Sequence, residues 1–338
     1  MRGERILVTG AAGFIGMHVA SRLLAQGNHV LGLDNLNPYY DPGLKAARIA
    51  QLTKLPNFRF EQMDIVDRKS MTRIFAAQRF SHVVHLAAQA GVRHSLSDPH
   101  AYADANIIGF LNVLEGCREV GSRHLLYASS SSVYGANTRM PFRTSDNVDH
   151  PLNLYGATKK ANELMAHAYA HLFAIPATGL RFFTVYGPWG RPDMAMWLFV
   201  DAIMRGRPIK LFNNGRMRRD FTYIDDVVEA MVRLVPLPAA ANSAWSGDAP
   251  DPATSRAPWR TYNIGNGAPV EVLEVVRLIE QAVGKTAIRE FLPIQPGDVP
   301  ATYADVTDLE RLVDFRPNTA IAEGIERFVA WFRDFVPL

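Results

Sequence analysis

The sequence predicts an α/β fold, a doubly wound parallel sheet with a smaller α/β lobe, and two features of the N-terminal half carry that prediction. Short apolar runs alternate with stretches of helical periodicity from residue 5 to residue 183. That rhythm belongs to parallel strands covered by helices on both faces. A glycine-rich loop, Gly10-Ala-Ala-Gly13-Phe-Ile-Gly16, stands between the first apolar run and the first helical stretch.

The elements follow in order. Arg5 to Thr9 is an apolar strand closed by Gly10, and Phe14 to Gln26 has helical spacing stopped by Gly27. His29 to Asp34 reads as the second strand, Phe58 to Asp64 as the third, and His82 to Ala87 as a buried fourth after a helix at Met71 to Gln78. Pro99 opens a helical pattern that runs to about Val120, and His124 to Ser129 is the fifth strand. Tyr155 to Phe173 is a long helix, followed by a strand at Ala177 to Phe183. After Gly187 the rhythm breaks into a helix near 194–205, short strands at Ile209–Phe212 and Phe221–Ile224, and a helix near 225–235. Residues 236–260, rich in Pro, Ala and Ser, read as a flexible surface excursion, and helix and strand patterns return from Val270 to Phe335. The expected division is a dinucleotide-type domain at 1–187, to which later segments return, and a smaller lobe at 188–338.

Bulk properties narrow the class. With 338 residues, 48% hydrophobic and 20% charged, the chain can bury a large core, which excludes disorder as its main state. Its apolar runs are too short to span a bilayer, and Met1-Arg2-Gly3-Glu4-Arg5 does not fit a signal peptide. The single cysteine, Cys117, has no internal partner, so a reducing cytoplasm is expected; helical apolar neighbours make it a buried, inert thiol. A net charge of +3 without like-charge runs argues against a nucleic-acid surface, yet allows a local cationic pocket.

The glycine loop has a chemical purpose. Small residues let the backbone approach a pyrophosphate, whose charge sits at the positive end of the following helix. Asp34 closes the second strand, either as a turn residue or as an acceptor for adenosine ribose hydroxyls. As a ligand it would repel a 2′-phosphate, and Asn35-Leu36-Asn37 offers no arginine to receive one, so NAD is favoured over NADP. Asp64-Ile65, ending the third strand, either touches adenine or forms a plain turn.

Tyr155-Gly-Ala-Thr-Lys159 puts a phenol and an ammonium on one helical face. A nearby cation stabilises phenolate, which lets tyrosine act as a base near neutral pH. The Ser129-Ser130-Ser131-Ser132 run ends the fifth strand, where a parallel sheet opens its ligand crevice. Serines there are either a polar exit from the strand or donors into that crevice.

These motifs, in this order, resemble the extended short-chain dehydrogenase/reductase family with its Rossmann fold, and within it the nucleotide-sugar epimerases, nearest to bacterial UDP-glucuronate 4-epimerases. The resemblance spans nearly the whole chain. It includes Asp34 to Asn37 with Tyr39-Tyr40-Asp41, Ala87 to Arg93, Tyr127-Ala128 into the serines, and Val133-Tyr134-Gly135. It continues through Tyr155 to Lys160, Phe183 to Asp193, and Arg219 to Asp226.

What the resemblance implies can be carried over by residue. Tyr155 is the base, Lys159 its electrostatic partner and Ser130 the catalytic hydroxyl. Gly10, Gly13, Phe14, Ile15 and Gly16 cradle the cofactor, with Asp34, Asn35, Asp64, Ile65, Leu86, Ala87 and Ala88 around it. Arg219 contacts the diphosphate of a UDP-sugar, Phe212 stacks uracil, Asp298 holds the uridine ribose, and Arg93 joins the substrate contacts. Thr184 stands where the UDP-glucose enzymes carry asparagine, which points to the glucuronate branch. Ser131, Ser132 and Thr184 are then donors to the sugar carboxylate, and Arg191 borders that pocket or merely pairs with Asp193. The expected reaction is NAD-dependent 4-epimerisation of UDP-glucuronate to UDP-galacturonate by a homodimer joined through the helices near 99–120 and 155–173. Its rivals are 4-epimerisation of UDP-glucose or UDP-N-acetylglucosamine, 4,6-dehydration, decarboxylation, and a non-catalytic NAD(P)-sensing role. His167 and His171 have the spacing of a metal pair but no third ligand, so no metal is expected.

Overall fold

The computed structural model describes residues 1–337. Its first half runs β1 (Arg5–Thr9), α1 (Phe14–Ala25), β2 (His29–Asp34), α2 (Pro42–Leu52), β3 (Phe58–Gln62), α3 (Arg68–Gln78) and β4 (His82–His85). Short helices α4 (His94–Ser97) and α5 (Pro99–Tyr102) lead through a π-helical turn at Ala103–Gly109 into α6 (Phe110–Val120). Then come β5 (His124–Ser130), a 3-10 turn at Ser131–Tyr134, α7 (Leu154–Phe173), β6 (Ala177–Phe182) and β7 (Thr184–Tyr186). The second half contains α8 (Ala195–Met204), β8 (Ile209–Leu211), β9 (Arg218–Arg219), β10 (Phe221–Tyr223) and α9 (Ile224–Leu234). It closes with β11 (Trp259–Ile264), β12 (Val270–Glu271), α10 (Val272–Val283), β13 (Arg289–Phe291), α11 (Thr307–Val313) and α12 (Ile321–Phe335).

Seven parallel strands form the central sheet in the order β11-β6-β5-β4-β1-β2-β3. Strand alternation explains why the middle of β1, Ile6-Leu7-Val8, is apolar on both faces. Ile6 and Val8 face a core shared with α1, α8, α9, α10 and α12, while Leu7 faces a second core made with α3, α6 and α7. The strand order reverses between β1 and β4, so the loops leaving those two strands diverge and open a crevice. The Asn153 side chain caps α7 by accepting from the Gly156 N–H at 2.8 Å, which fixes where the Tyr155 turn begins.

One expectation needs correction. The surface excursion ends before Trp259, which is buried and opens β11, the seventh strand of the sheet. Its indole donates to the Tyr127 hydroxyl at 3.1 Å, which locks the strand against the core. The polar residues upstream make local turns: Asn242 Nδ2 donates to Thr254 and the Trp245 indole to the Asp251 carbonyl. Their composition records turn chemistry. Cys117 is fully buried, as its apolar helical setting implies.

Candidate active site

One cleft runs along the carboxyl ends of β1, β4, β5 and β6 and on into the smaller lobe. Of the residues expected to serve catalysis, cofactor or substrate, all but Arg93 and Phe212 line it. Those two stand at its rim, with the Arg93 guanidinium 4.2 Å from the centre of the Phe212 ring.

At Gly10 and Gly16 the loop is packed too closely to admit a side chain. A Cβ on Gly10 would lie 2.7 Å from the Ala87 nitrogen, and one on Gly16 would lie 2.1 Å from the Gly10 oxygen. Gly10 also sits at a φ of +72°, which L side chains rarely adopt. No side chain caps the N-terminus of α1, so its first N–H groups remain available to an anion. Behind the loop, Thr9 Oγ1 accepts from the Leu86 and Ala87 N–H groups, each at 3.2 Å, and so ties β1 to the exit of β4.

Asp34 is buried at the end of β2, where Oδ2 accepts from the Ala12 N–H at 3.2 Å and Oδ1 from the Leu36 N–H at 2.9 Å. Burial pushes its carboxyl pKa up, and the Lys45 charge opposes that shift. Lys45, which the sequence reading missed, donates to the carbonyl and side chain of Asn37 at 2.9 and 2.6 Å. Asp64 accepts from the Val66 N–H at 2.9 Å, the turn that the sequence allowed, and also from Asn35 Nδ2 at 2.9 Å while lining the cleft.

Tyr155 and Lys159 project from the first turns of α7 towards the end of β5. Lys159 is 2% exposed, and its Nζ donates to the Ala128 carbonyl at 2.9 Å. Burial pushes its pKa down to about 8. Burial raises the Tyr155 pKa, opposed by a Ser130 hydrogen bond and by the Arg191 charge. The Arg191 charge thus favours the phenolate, and the Lys159 ammonium sits one helical turn from Tyr155, bonded to the backbone of β5. Ser130 is buried, and its Oγ accepts from the Ser132 N–H at 3.1 Å.

On the lobe side, Arg191 grips Asp193 through two bonds, at 3.0 and 2.6 Å, and the Tyr39 hydroxyl donates to the same carboxylate at 3.1 Å. Burial pushes the Asp193 pKa up, but the Arg191 charge and hydrogen bonds outweigh it and hold it low. Arg191 thus pairs with Asp193 and also lines the cleft. Arg93 donates to Asp298 at 3.0 Å, and Arg219 to the Arg218 and Pro300 carbonyls at 2.9 and 3.2 Å. Arg48, also missed, is fully buried and donates to the carbonyls of Ala12, Trp189 and Gly190 at 2.9, 2.7 and 3.1 Å. It fastens the Arg191 loop to the glycine loop. Nothing in the local pattern around Arg48 announces partners that far along the chain.

His167 Nε2 meets Ser255 Oγ at 2.8 Å, and its ring stands edge-on to Trp259. No helix among the described residues is long and apolar enough to cross a membrane.

Residues 6–265 match the model of the NAD dependent epimerase/dehydratase family. A Rhizobium meliloti (strain 1021) protein named "Probable UDP-glucuronate 4-epimerase" is 50% identical over 97% of this chain and 96% of its own length. The crystal structure of UDP-glucuronic acid 4-epimerase from Bacillus cereus, in complex with UDP-glucuronic acid and NAD, superposes with a TM-score of 0.85 at 31% identity, covering 98% of this chain and 99% of that one. UDP-glucose 4-epimerase from Thermotoga maritima, solved with UDP-glucose, gives the same TM-score of 0.85 at 29% identity over 98% of this chain and 100% of that one.

Proposed function

The chain belongs to the NAD dependent epimerase/dehydratase family, and from that premise we propose that it catalyses the reversible 4-epimerisation of UDP-glucuronate to UDP-galacturonate. One observation carries the reading: a single cleft joins Tyr155, Lys159 and Ser130 to the hydroxyls of Ser131, Ser132 and Thr184 and to Arg191. The relatives named for this activity support the same substrate.

The residues present fit NAD. Gly10 and Gly16 leave no room for side chains, the start of α1 is uncapped, and Asp34 is fixed at the end of β2. Gly10, Gly13, Phe14, Ile15 and Gly16 would hold the pyrophosphate, and Asp34 with Asn35 the adenosine ribose. Asp64 and Ile65 would border adenine, and Leu86, Ala87 and Ala88 would floor the site. When bound, NAD supplies an acceptor and donor of hydride at the sugar's carbon 4.

Tyr155 takes the proton of the 4-hydroxyl on oxidation and returns it on reduction, with Ser130 hydrogen-bonded to the same oxygen. Lys159 holds positive charge beneath that site while anchoring α7 to β5. Arg219 faces the diphosphate, Phe212 and Asp298 the uridine, and Arg93 the rim above them. Oxidation at carbon 4 of a glucuronate gives a β-keto acid, which loses carbon dioxide when its carboxylate can rotate freely. Ser131, Ser132 and Thr184 are hydroxyl donors suited to pinning that carboxylate, and charge-assisted hydrogen bonds are the strong kind. Arg191 guards the pocket edge.

A second reading, 4-epimerisation of a neutral sugar such as UDP-glucose, draws support from the equal likeness to the Thermotoga maritima structure. Exposed Ile108, Leu164 and Leu172, on the helical stretches 103–120 and 154–173, support a homodimer across them, and the lone buried thiol suits the cytoplasm. The test is product analysis by chromatography and mass spectrometry after separate incubation with UDP-glucuronate, UDP-glucose and UDP-xylose. UDP-galacturonate should form from the first, in protein that releases NAD on denaturation. Equal rates on UDP-glucose would install the second reading.

A further inference from the structure

Beneath the cleft lies a buried ion pair that the proposed chemistry does not use. Glu163 and Arg181 are both sequestered from solvent and joined by two bonds, Nε to Oε1 at 2.8 Å and Nη2 to Oε2 at 2.9 Å. Burial pushes the Glu163 pKa up, but the Arg181 charge and the hydrogen bonds outweigh it and keep the carboxylate ionised. Its Oε1 also accepts from Ser129 Oγ at 2.6 Å.

The spacing gives that contact its meaning. Tyr155, Lys159 and Glu163 lie at i, i+4 and i+8 on one face of α7. Two of them bond to β5, Lys159 donating to the Ala128 carbonyl at 2.9 Å and Glu163 accepting from the Ser129 hydroxyl at 2.6 Å, and Tyr155 lines the cleft with Ser130, the next residue of the strand. A helix and a strand run at different rises per residue, so one contact would leave them free to slide or pivot. Two contacts on successive residues, Ala128 and Ser129, fix the register.

We propose that Glu163 is a positioning residue: through Ser129 it sets the Ser130 hydroxyl against the Tyr155 phenol, and Arg181 neutralises the buried charge this requires. This rests on Tyr155 being the base. The pair's charges balance one another, so the link to catalysis lies in the Ser129 hydrogen bond, which can be cut without breaking the pair.

The experiment compares Ser129→Ala, Ser129→Thr and Tyr155→Phe with the parent chain, reading kcat, KM, retained NAD, Tm and the pH profile of kcat on the UDP-sugar that the parent turns over. Ser129→Ala should lower kcat at least about ten-fold and move the limb of the pH profile that reports the base, with KM and retained NAD unchanged. One lost hydrogen bond should shift Tm by no more than about 3 °C. Ser129→Thr, which keeps the hydroxyl, should recover most of the lost turnover. Full turnover in Ser129→Ala with Tyr155→Phe inactive overturns this proposal alone. Full turnover in Tyr155→Phe overturns the base assignment and this proposal with it. Failure of Ser129→Ala to fold and retain NAD would also overturn it, since the tie would then serve the fold.

Discussion

At the β1 exit, the cleft is bordered by the uncapped N–H groups that start α1 and by main chain packed so closely that a Cβ on Gly16 would come within 2.1 Å of the Gly10 oxygen. Across the cleft, charged side chains hold one another, one of them from the loop that follows β4. Arg191 is clamped to Asp193, Arg93 to Asp298, and Arg93 covers the Phe212 ring. The first side is preorganised, because backbone fixed by a sheet cannot reorient to suit a ligand. The second must exchange partners, because a diphosphate, a uracil and a carboxylate would compete for groups already paired. A cofactor kept through every turnover suits the first design, and a substrate that enters and leaves suits the second.

The strongest way to break this comparison is Gly16→Ala. The new methyl would meet backbone, which cannot swing aside, so the loop itself must move. NAD binding should weaken by about a hundred-fold or more, read as cofactor retained through purification and by titration with added NAD. Retention at the parent's level would mean the loop yields to its ligand, and the cofactor side would lose its claim to be preformed.

The same contrast explains what the sequence made legible. The glycine loop, Asp34 and the Tyr155/Lys159 pair are local words whose spacing carries their geometry, so the switch-point crevice could be expected from residues alone. Arg48 could not, since its Trp189 partner lies 141 positions away, nor could the Arg93–Asp298 pair, separated by 205. The substrate side was readable only as far as family resemblance reached. Strand β11 was hidden for another reason: turn-forming Pro, Ser and Asp residues precede Trp259, and their composition masked the buried strand that follows. Glu163 looked like one more polar helical residue, because its burial depends on an arginine from β6.

Thr184→Val tests the substrate side at the wall of the cleft. The change is nearly isosteric and removes one hydroxyl from the wall of the cleft. A lost hydrogen bond to a charged group should cost about 1.5–3 kcal/mol, or about ten- to a hundred-fold in epimerisation if it is felt in the transition state. Decarboxylated UDP-pentose should appear in the product chromatogram as the carboxylate gains freedom. NAD retention should stay at the parent's level, which separates this effect from that of Gly16→Ala. An unchanged rate with no pentose would remove Thr184 from the carboxylate pocket.

The smallest effect is expected at the rim, from Arg93→Gln. Arg93 is about half exposed, at 52%, and its bond to Asp298 is an ion pair open to water. Such pairs contribute about 0–1 kcal/mol, and screening by salt reduces them further. Two consequences of the substitution oppose each other. Losing the guanidinium removes a positive charge from the approach to the diphosphate, which should raise KM. Losing it also uncovers Phe212 and frees Asp298, the two groups proposed to receive uracil and ribose, which should lower KM. The net change should be about two- to five-fold in KM at low salt, with kcat unaltered, and it should shrink as salt is added. A kcat loss above about ten-fold, insensitive to salt, would show that Arg93 acts in the transition state. The rim would then be as preorganised as the glycine loop, and the contrast between the two sides of the cleft would fail where it is now widest.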